Sequence, residues 1–217
     1  MLASNSKRKA EQKPSIIFWN ISVIVSVVSL YFVTNALSAF LLLFTILFYV
    51  FVYTIWLKRK TPQNIVIGGA SGALPPVIGW AIATNSISLE SIAFFLIIFF
   101  WTPSHFWALS LYKADDYKKA GIPMLPVTNG IQDTKKNILI YSLLMIPTIV
   151  FPYYIGFVGE VFLTLSLLLT FYYNLICYQL YNYKVGKFNI KKARHIFSYS
   201  IIYLFLIFVF FLVDKVL

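Results

Sequence analysis

Seven long apolar runs separated by short polar breaks constrain this chain more than any other feature. They fall at Ile16–Val33, Ala36–Leu57, Ile65–Ala83, Ile87–Leu111, Ile138–Phe157, Val161–Tyr183 and Ile196–Val213. Each approaches the ~20 residues an α-helix needs to cross ~30 Å of hydrocarbon. None alternates with the period of two that a membrane β-barrel requires. Charged residues make up only 12% of the 217, against about 25% in soluble domains. The runs leave no room for a separate soluble domain. The expected fold is all-α: a polytopic transmembrane helical bundle of about seven helices, forming a single membrane domain over 1–217.

Charge placement predicts the orientation. Basic residues near helix ends mark cytoplasmic loops. Seventeen of the eighteen Lys and Arg residues fall in the N-terminal segment (1–15) or in the breaks after the second, fourth and sixth runs, leaving only Lys215 for the other side. The breaks at Thr34–Asn35, Thr84–Ser86 and Val158–Glu160 carry no basic residue. The N-terminus is therefore expected in the cytoplasm or its organellar equivalent, and the C-terminus on the opposite side. The formal charge of +11 suits anionic lipid headgroups beside the bilayer and calls for no nucleic acid. Cys177 stands alone, which excludes an intrachain disulfide or a CxxC metal site. The sixth run, which contains it, reads with the fifth and seventh as scaffold and lipid face without polar clusters.

Two segments differ from ordinary lipid-facing helix. Tyr53–Trp80 leads from Lys58, Arg59 and Lys60 into Gly68, Gly69, Ala70, Ser71, Gly72 and Ala73, then Pro75 and Pro76. Small residues let helices approach closely in a membrane, and the prolines kink the helix. The plain reading is a tightly packed, kinked helix; the functional one is a cavity wall. Phe99–Val127 carries Trp101, Pro103, His105, Trp107 and Tyr112, then Asp115 and Asp116 with Lys118 and Lys119. Carboxylates suit Mg²⁺ bridged to substrate phosphates, and lysines suit the phosphates as point charges. A solvated, self-neutralising loop over 112–137 is the alternative. His105 is either a functional intramembrane group or a neutral histidine bonded to a neighbouring helix.

Together these segments resemble the signature regions of the protoheme IX farnesyltransferases, or haem O synthases, of the UbiA-type membrane prenyltransferases. The matching features are Lys58-Arg59, Gly68-Gly69 to Pro75-Pro76, Pro103 to Trp107, and Asp116-Tyr117 with Ala120 and Pro123 to Pro126. The resemblance is strong over about residues 50–130. It implies transfer of a farnesyl group from farnesyl diphosphate to haem B with Mg²⁺, giving haem O, in a bacterial or mitochondrial inner membrane. On this reading Asp116, Lys118 and Lys119 act in catalysis and Lys58 and Arg59 hold diphosphate. Asp115 and Asp116 hold the metal, while His105, Trp107 and Tyr112 face the haem or prenyl cavity.

The chain departs from the family pattern of nine helices and two acidic motifs. Glu11 is the only acidic residue before Glu90, so the first motif, an N-x-x-x-D-x-x-x-D pattern after the family's second helix, is missing, and the seven runs match the family's last seven helices. Three readings follow. The chain is a haem O synthase whose first two helices come from a separate polypeptide or lie before a mis-called start. It is an inactive remnant that binds haem or prenyl diphosphate without turnover. Or it is a polytopic transporter, which would call for repeats or charges along a pathway.

Overall fold

The computed structural model describes residues 2–216, with side chains described from residue 17 onward. The basic side chains expected over 1–15 lie outside the described residues. α1 is Leu2–Val33 and α2 is Ala36–Leu47, which continues into a wider winding over Phe48–Leu57. α3 (Asn64–Ala73) and α4 (Pro75–Thr84) form one span broken at Leu74, and α5 is Leu89–Tyr112. Two short helices follow, α6 (Ala114–Lys119) and α7 (Leu125–Thr128). α8 (Gly130–Tyr154), α9 (Glu160–Tyr181) and α10 (Ile190–Val216) complete the bundle.

Among the described residues, six stretches are helical, long and apolar enough to cross a membrane, from Ala36–Leu57 to Ile190–Val216. The first of the seven expected runs forms a shorter apolar stretch, Ile17–Val33, at the end of α1. α3–α4 and α5 return the chain, so the break after Leu57 and the one after Tyr112 share one face of the bundle.

Helix ends on the opposite face are satisfied by side chains from distant parts of the chain. Asn35 accepts from Ser38 N–H (2.8 Å) to start α2 and donates from Nδ2 to Ala81 C=O (2.7 Å) near the end of α4. Asn85 then ends α4 in the left-handed region, with φ 51°. Asp214, from the end of α10, accepts from the N–H groups of Gly159 (2.7 Å) and Phe162 (3.1 Å) at the start of α9. A carboxylate at a helix N-terminus meets both unpaired N–H groups and the positive end of the dipole. Lys215, the basic residue that sequence placed alone on this side, donates to Phe157 C=O.

α5, α8, α9 and α10 enclose the main core, where Ile97, Trp107, Ile138, Met145, Phe162 and Tyr203 are fully buried. A smaller cluster joins Leu41 of α2 to Val77 and Ala81 of α4. The C-terminal helices are not the plain apolar scaffold expected from sequence. Ser104 and Tyr173 hydroxyls bond at 2.8 Å, Thr170 and Tyr203 at 3.0 Å, and Ser142 donates to Asn174 Oδ1 at 3.0 Å. Each of these groups is isolated within its own apolar run, and the pairs form only between helices.

The loop expected over 112–137 is shorter, because α8 begins at Gly130 rather than at the apolar run. Packing explains the difference. Lys135 is fully buried, and its ammonium donates to the carbonyls of Tyr183 (2.5 Å), Lys187 (3.2 Å) and Lys184 (3.4 Å). A hydropathy reading counts it as a loop lysine, yet it closes the chain end of α9. Lys135→Met keeps the aliphatic stem and removes the donor. It should destabilise the protein by ~1–3 kcal/mol, the cost of leaving buried acceptors unpaired, measured by thermal unfolding in detergent. The exposed neighbour Lys136 serves as control, and Lys136→Met should leave the midpoint unchanged.

Candidate active site

A cavity of about 480 Å³ lies between the α2 span, α3 and α5. Its wall repeats at helical spacing: Thr45, Tyr49 and Tyr53; Ile65, Gly68, Gly69 and Gly72; Ile98, Trp101, Thr102 and Phe106. The size suits an organic ligand of moderate length.

The wall is apolar even where it carries hydroxyls. Thr45 donates to Leu41 C=O, Ser71 to Gly68 C=O and Thr102 to Ile98 C=O, each at 2.7 Å. Each hydroxyl thus bonds to its own helix and spends its proton there. What faces the cavity is mostly carbon, with the Tyr49 and Tyr53 phenols on its wall, and suits a hydrocarbon chain.

Close approach explains the small residues. A Cβ on Gly68 would stand 2.3 Å from Cδ2 of Tyr53, whose ring lies against the glycine. A Cβ on Gly69 would stand 3.0 Å from Cγ2 of Thr102. Gly72 differs, since a Cβ there meets nothing within 4 Å. The wider winding over Phe48–Leu57 brings Tyr49 and Tyr53 onto one wall. Its signature is the bond from Lys58 N–H to Tyr53 C=O, five residues back, at 2.8 Å. Such windings are rare and concentrate at functional places in helices. The break at Leu74 lies beyond Gly72, at the far end of the α3 wall.

The charged candidates stand on the loops beyond the Tyr53 and Ile65 end of the cavity. Asn64 is buried, and its Nδ2 donates to Lys58 C=O (3.2 Å), pinning the loop that bears Lys58 and Arg59. α6 presents Asp115 and Asp116 in its first turn and Lys118 and Lys119 in its last, all exposed. This order also complements the dipole of the helix. Asp116 pairs with Lys113 at 3.1 Å. Tyr117 lies on the same helix, which packs against α5 and α7. Burial, and then the Asp116 carboxylate, raise the Tyr117 pKa, with Lys113 opposing. Its phenol stays neutral at physiological pH.

Among the described residues, no group of three His, Cys, Asp or Glu side chains converges on a metal-sized site. Asp115 and Asp116 therefore fit a divalent cation only as part of a shell that phosphate oxygens and water complete, an arrangement natural to Mg²⁺.

His105, Trp107 and Tyr112 do not line this cavity. His105 is stacked between Trp101 (4.3 Å between ring centres) and Phe197 (4.6 Å), behind the wall that Trp101 forms. Ser200 donates its hydroxyl to Phe197 C=O (2.7 Å), so His105 Nδ1–H donates to Ser200 Oγ (2.6 Å), a tautomer assigned from its partners. Trp101 Nε1 donates to Ser200 C=O at 2.8 Å, so α5 is fastened to α10 at both residues. Trp107 is fully buried and meets Tyr141 of α8 edge-on at 5.2 Å. Tyr112 lies under the Arg194 guanidinium, 5.5 Å from the ring centre. The aromatic rings that do face the cavity are Tyr49, Tyr53, Trp101 and Phe106, to which sequence reasoning assigned no role. The signal was available as the spacing 45/49/53 and 98/102/106, but not which face turned inward.

Known proteins resemble the chain over nearly its whole length. Residues 8–205 match the UbiA prenyltransferase family. A protoheme IX farnesyltransferase of Pelagibacter ubique is 69% identical over 209 residues, covering 96% of this chain and 69% of the relative. One from Parvibaculum lavamentivorans is 46% identical, covering 94% and 64%, and one from Azorhizobium caulinodans is 52% identical, covering 84% and 60%. The chain thus spans about two thirds or less of the length of these relatives, each a single longer protein. A separate polypeptide supplying further helices finds no support among them. No solved structure matches.

Gly68→Ala should force the Tyr53 ring off its seat and lower the unfolding midpoint in detergent, as overpacking does at ~1–3 kcal/mol. Gly72→Ala should leave it unchanged or slightly raised, since alanine favours helix by up to ~1 kcal/mol. Equal effects at both positions would contradict the close approach.

Proposed function

Because the chain belongs to the UbiA prenyltransferase family, we propose that its cavity receives the isoprenoid chain of a prenyl diphosphate, with the diphosphate at the charged rim. The relatives' names point to farnesyl transfer onto haem B, giving haem O. What supports this reading is the largely carbon-lined cavity, bounded by the span that ends at Leu57, next to Lys58 and Arg59, and by α5, which leads into the Asp115-Asp116 helix.

The chemistry follows from that arrangement. An allylic carbon–oxygen bond breaks when the departing diphosphate is neutralised where its charge develops. Lys58, Arg59, Lys118 and Lys119 offer that neutralisation. A divalent cation, when bound, adds to it, and Asp115 and Asp116 would hold it with the substrate's own oxygens. The allylic cation left behind faces Tyr49, Tyr53, Trp101 and Phe106, whose rings each stabilise a cation by ~0.5–2 kcal/mol. The outer carbon of a haem vinyl group then forms the new carbon–carbon bond with it, and the cation this leaves on the inner vinyl carbon takes up a water molecule and loses a proton to solvent, giving a hydroxyl. His105 acts here as a positioning residue, holding Trp101 against the cavity through α10. The basic loops and this rim lie on the cytoplasmic side of an energy-coupling inner membrane, by the positive-inside rule.

Binding without turnover is the second reading, favoured by the lone pair of adjacent carboxylates among the described residues. The deciding assay supplies haem B, farnesyl diphosphate and Mg²⁺ to membranes holding the protein and reads haem O by chromatography. On the transferase reading, Asp116→Asn should reduce haem O formation by about 10²–10³-fold, the loss typical of one electrostatic group aimed at a transition state. Farnesyl diphosphate binding with no haem O from the parent protein would establish the second reading instead.

A further inference from the structure

The α3 wall of the cavity carries three glycines, and packing explains only two of them. Gly68 and Gly69 let Tyr53 and Thr102 lie against the helix, whereas a Cβ on Gly72 would meet nothing within 4 Å. Backbone conformation does not require Gly72 either, since the glycines with positive φ are Gly121, Gly130, Gly156 and Gly186. Glycine inside a helix is destabilising relative to alanine. The side chain is thus missing without a packing or backbone reason, at a position that lines the cavity.

Register places Gly72 at the inner end of that cavity. α3 leaves the Lys58 loop and α5 leads back to the Asp116 helix, so the two run antiparallel, and the approach of Gly69 to Thr102 sets their levels. One turn further in stand Gly72 on α3 and Ile98 on α5, and Thr45 is the innermost lining residue of the α2 span. From Ile65 to Gly72 the α3 wall advances ~10 Å, at ~1.5 Å per residue. A prenyl chain entering at the Ile65 end first passes the level where Tyr53 and Thr102 touch α3. Chains of different length make the same contacts to that point and differ only in what they meet beyond it, where the wall opens at Gly72.

We propose that Gly72, with Ile98 and Thr45, seats the last isoprene unit of the prenyl chain and so sets the chain length that the cavity accepts, a role that rests on the prenyl-binding reading above. Gly72 supplies the room, and Ile98 bounds it from the facing wall. Thr45 adds no polar demand, because its hydroxyl already donates to Leu41 C=O. A two-unit chain leaves this seat empty and forgoes its apolar contacts, while a four-unit chain runs past it. A side chain at position 72 would occupy the seat without touching the levels of Gly68 and Gly69, so it would penalise long chains and spare short ones.

Titration calorimetry of the full chain in detergent tests this with geranyl, farnesyl and geranylgeranyl diphosphate. The parent protein should bind farnesyl over geranyl diphosphate by about tenfold, the low end of what apolar pockets achieve between chain lengths. Gly72→Leu should remove that preference by weakening farnesyl diphosphate about tenfold while geranyl diphosphate is unchanged. Gly79→Leu makes the same change at another open helical glycine, on α4 and outside the cavity lining, and should keep the preference. Ile98→Ala deepens the seat and should shift the preference toward geranylgeranyl diphosphate, which keeps the proposal testable if Gly72→Leu does not fold. Equal losses for both shorter chains in Gly72→Leu would overturn the proposal, as would an unchanged preference in Ile98→Ala. In either case binding of farnesyl diphosphate by the parent protein would leave the prenyl-binding reading standing. Binding of none of the three by the parent protein would overturn that reading, and the seat with it.

Discussion

In hydrocarbon a polar group without a partner has no water to fall back on, and that constraint organises this bundle. Its spans carry many hydroxyls, and most are spent locally. Thr45, Ser71, Thr102 and Thr134 each donate to a carbonyl of their own helix. Helix ends raise the same problem with no local answer. They are met across the fold, by Asn35 at α4, Asp214 at α9 and Lys135 at the carbonyls beyond α9. These three contacts tie segments far apart in the chain and hold the helices in register where apolar packing alone is nearly indifferent to sliding.

The same economy shapes the cavity. Because Thr45, Ser71 and Thr102 bond to their own helices, the wall between the α2 span, α3 and α5 is mostly carbon. Because Gly68 and Gly69 have no side chains, Tyr53 and Thr102 come within contact distance of the α3 backbone. The glycines thus have two separate roles. Gly68 and Gly69 bring helices together, and Gly72 leaves space. The aromatic layer behind the wall, Trp101 on His105 on Phe197, joins this region to the better-packed α5, α8, α9 and α10 core. A substrate in the cavity would therefore meet one wall on a rigid support and another, Tyr49 and Tyr53, on a loosely packed span with an irregular winding.

Charge is segregated as thoroughly as apolarity. The breaks bearing Lys58 and Asp116 fall on one face of the bundle, while the breaks at the other face are closed by Asn35, Asp214 and Lys215. The cavity between the α2 span, α3 and α5 has no charged residue in its lining, and the carboxylates and ammonium groups of α6 stand outside it.

The amino-acid sequence by itself determined the all-helical membrane architecture, the shared face of the Lys58 and Asp116 loops, and the need for close approach at Gly68-Gly69. These depend on sums and periods along the chain: apolar runs of spanning length, basic residues clustered at alternate breaks, and residues too small to hold helices apart. It also singled out the stretch that the family match supports. Only the tertiary structure decided which rings face the cavity, because that depends on the rotation of each helix about its axis. Trp101 and Phe106 face it, while His105, Trp107 and Tyr112 on the same helix pack elsewhere. It likewise decided that Lys135 is a buried fastening rather than a loop charge, and that Tyr173 and Tyr203 are hydrogen-bonded rather than merely apolar. In each case the partner lies on a distant part of the chain. A local sum of hydropathy assigns a residue its cost in the membrane, but the group that offsets the cost is visible only once the helices have packed.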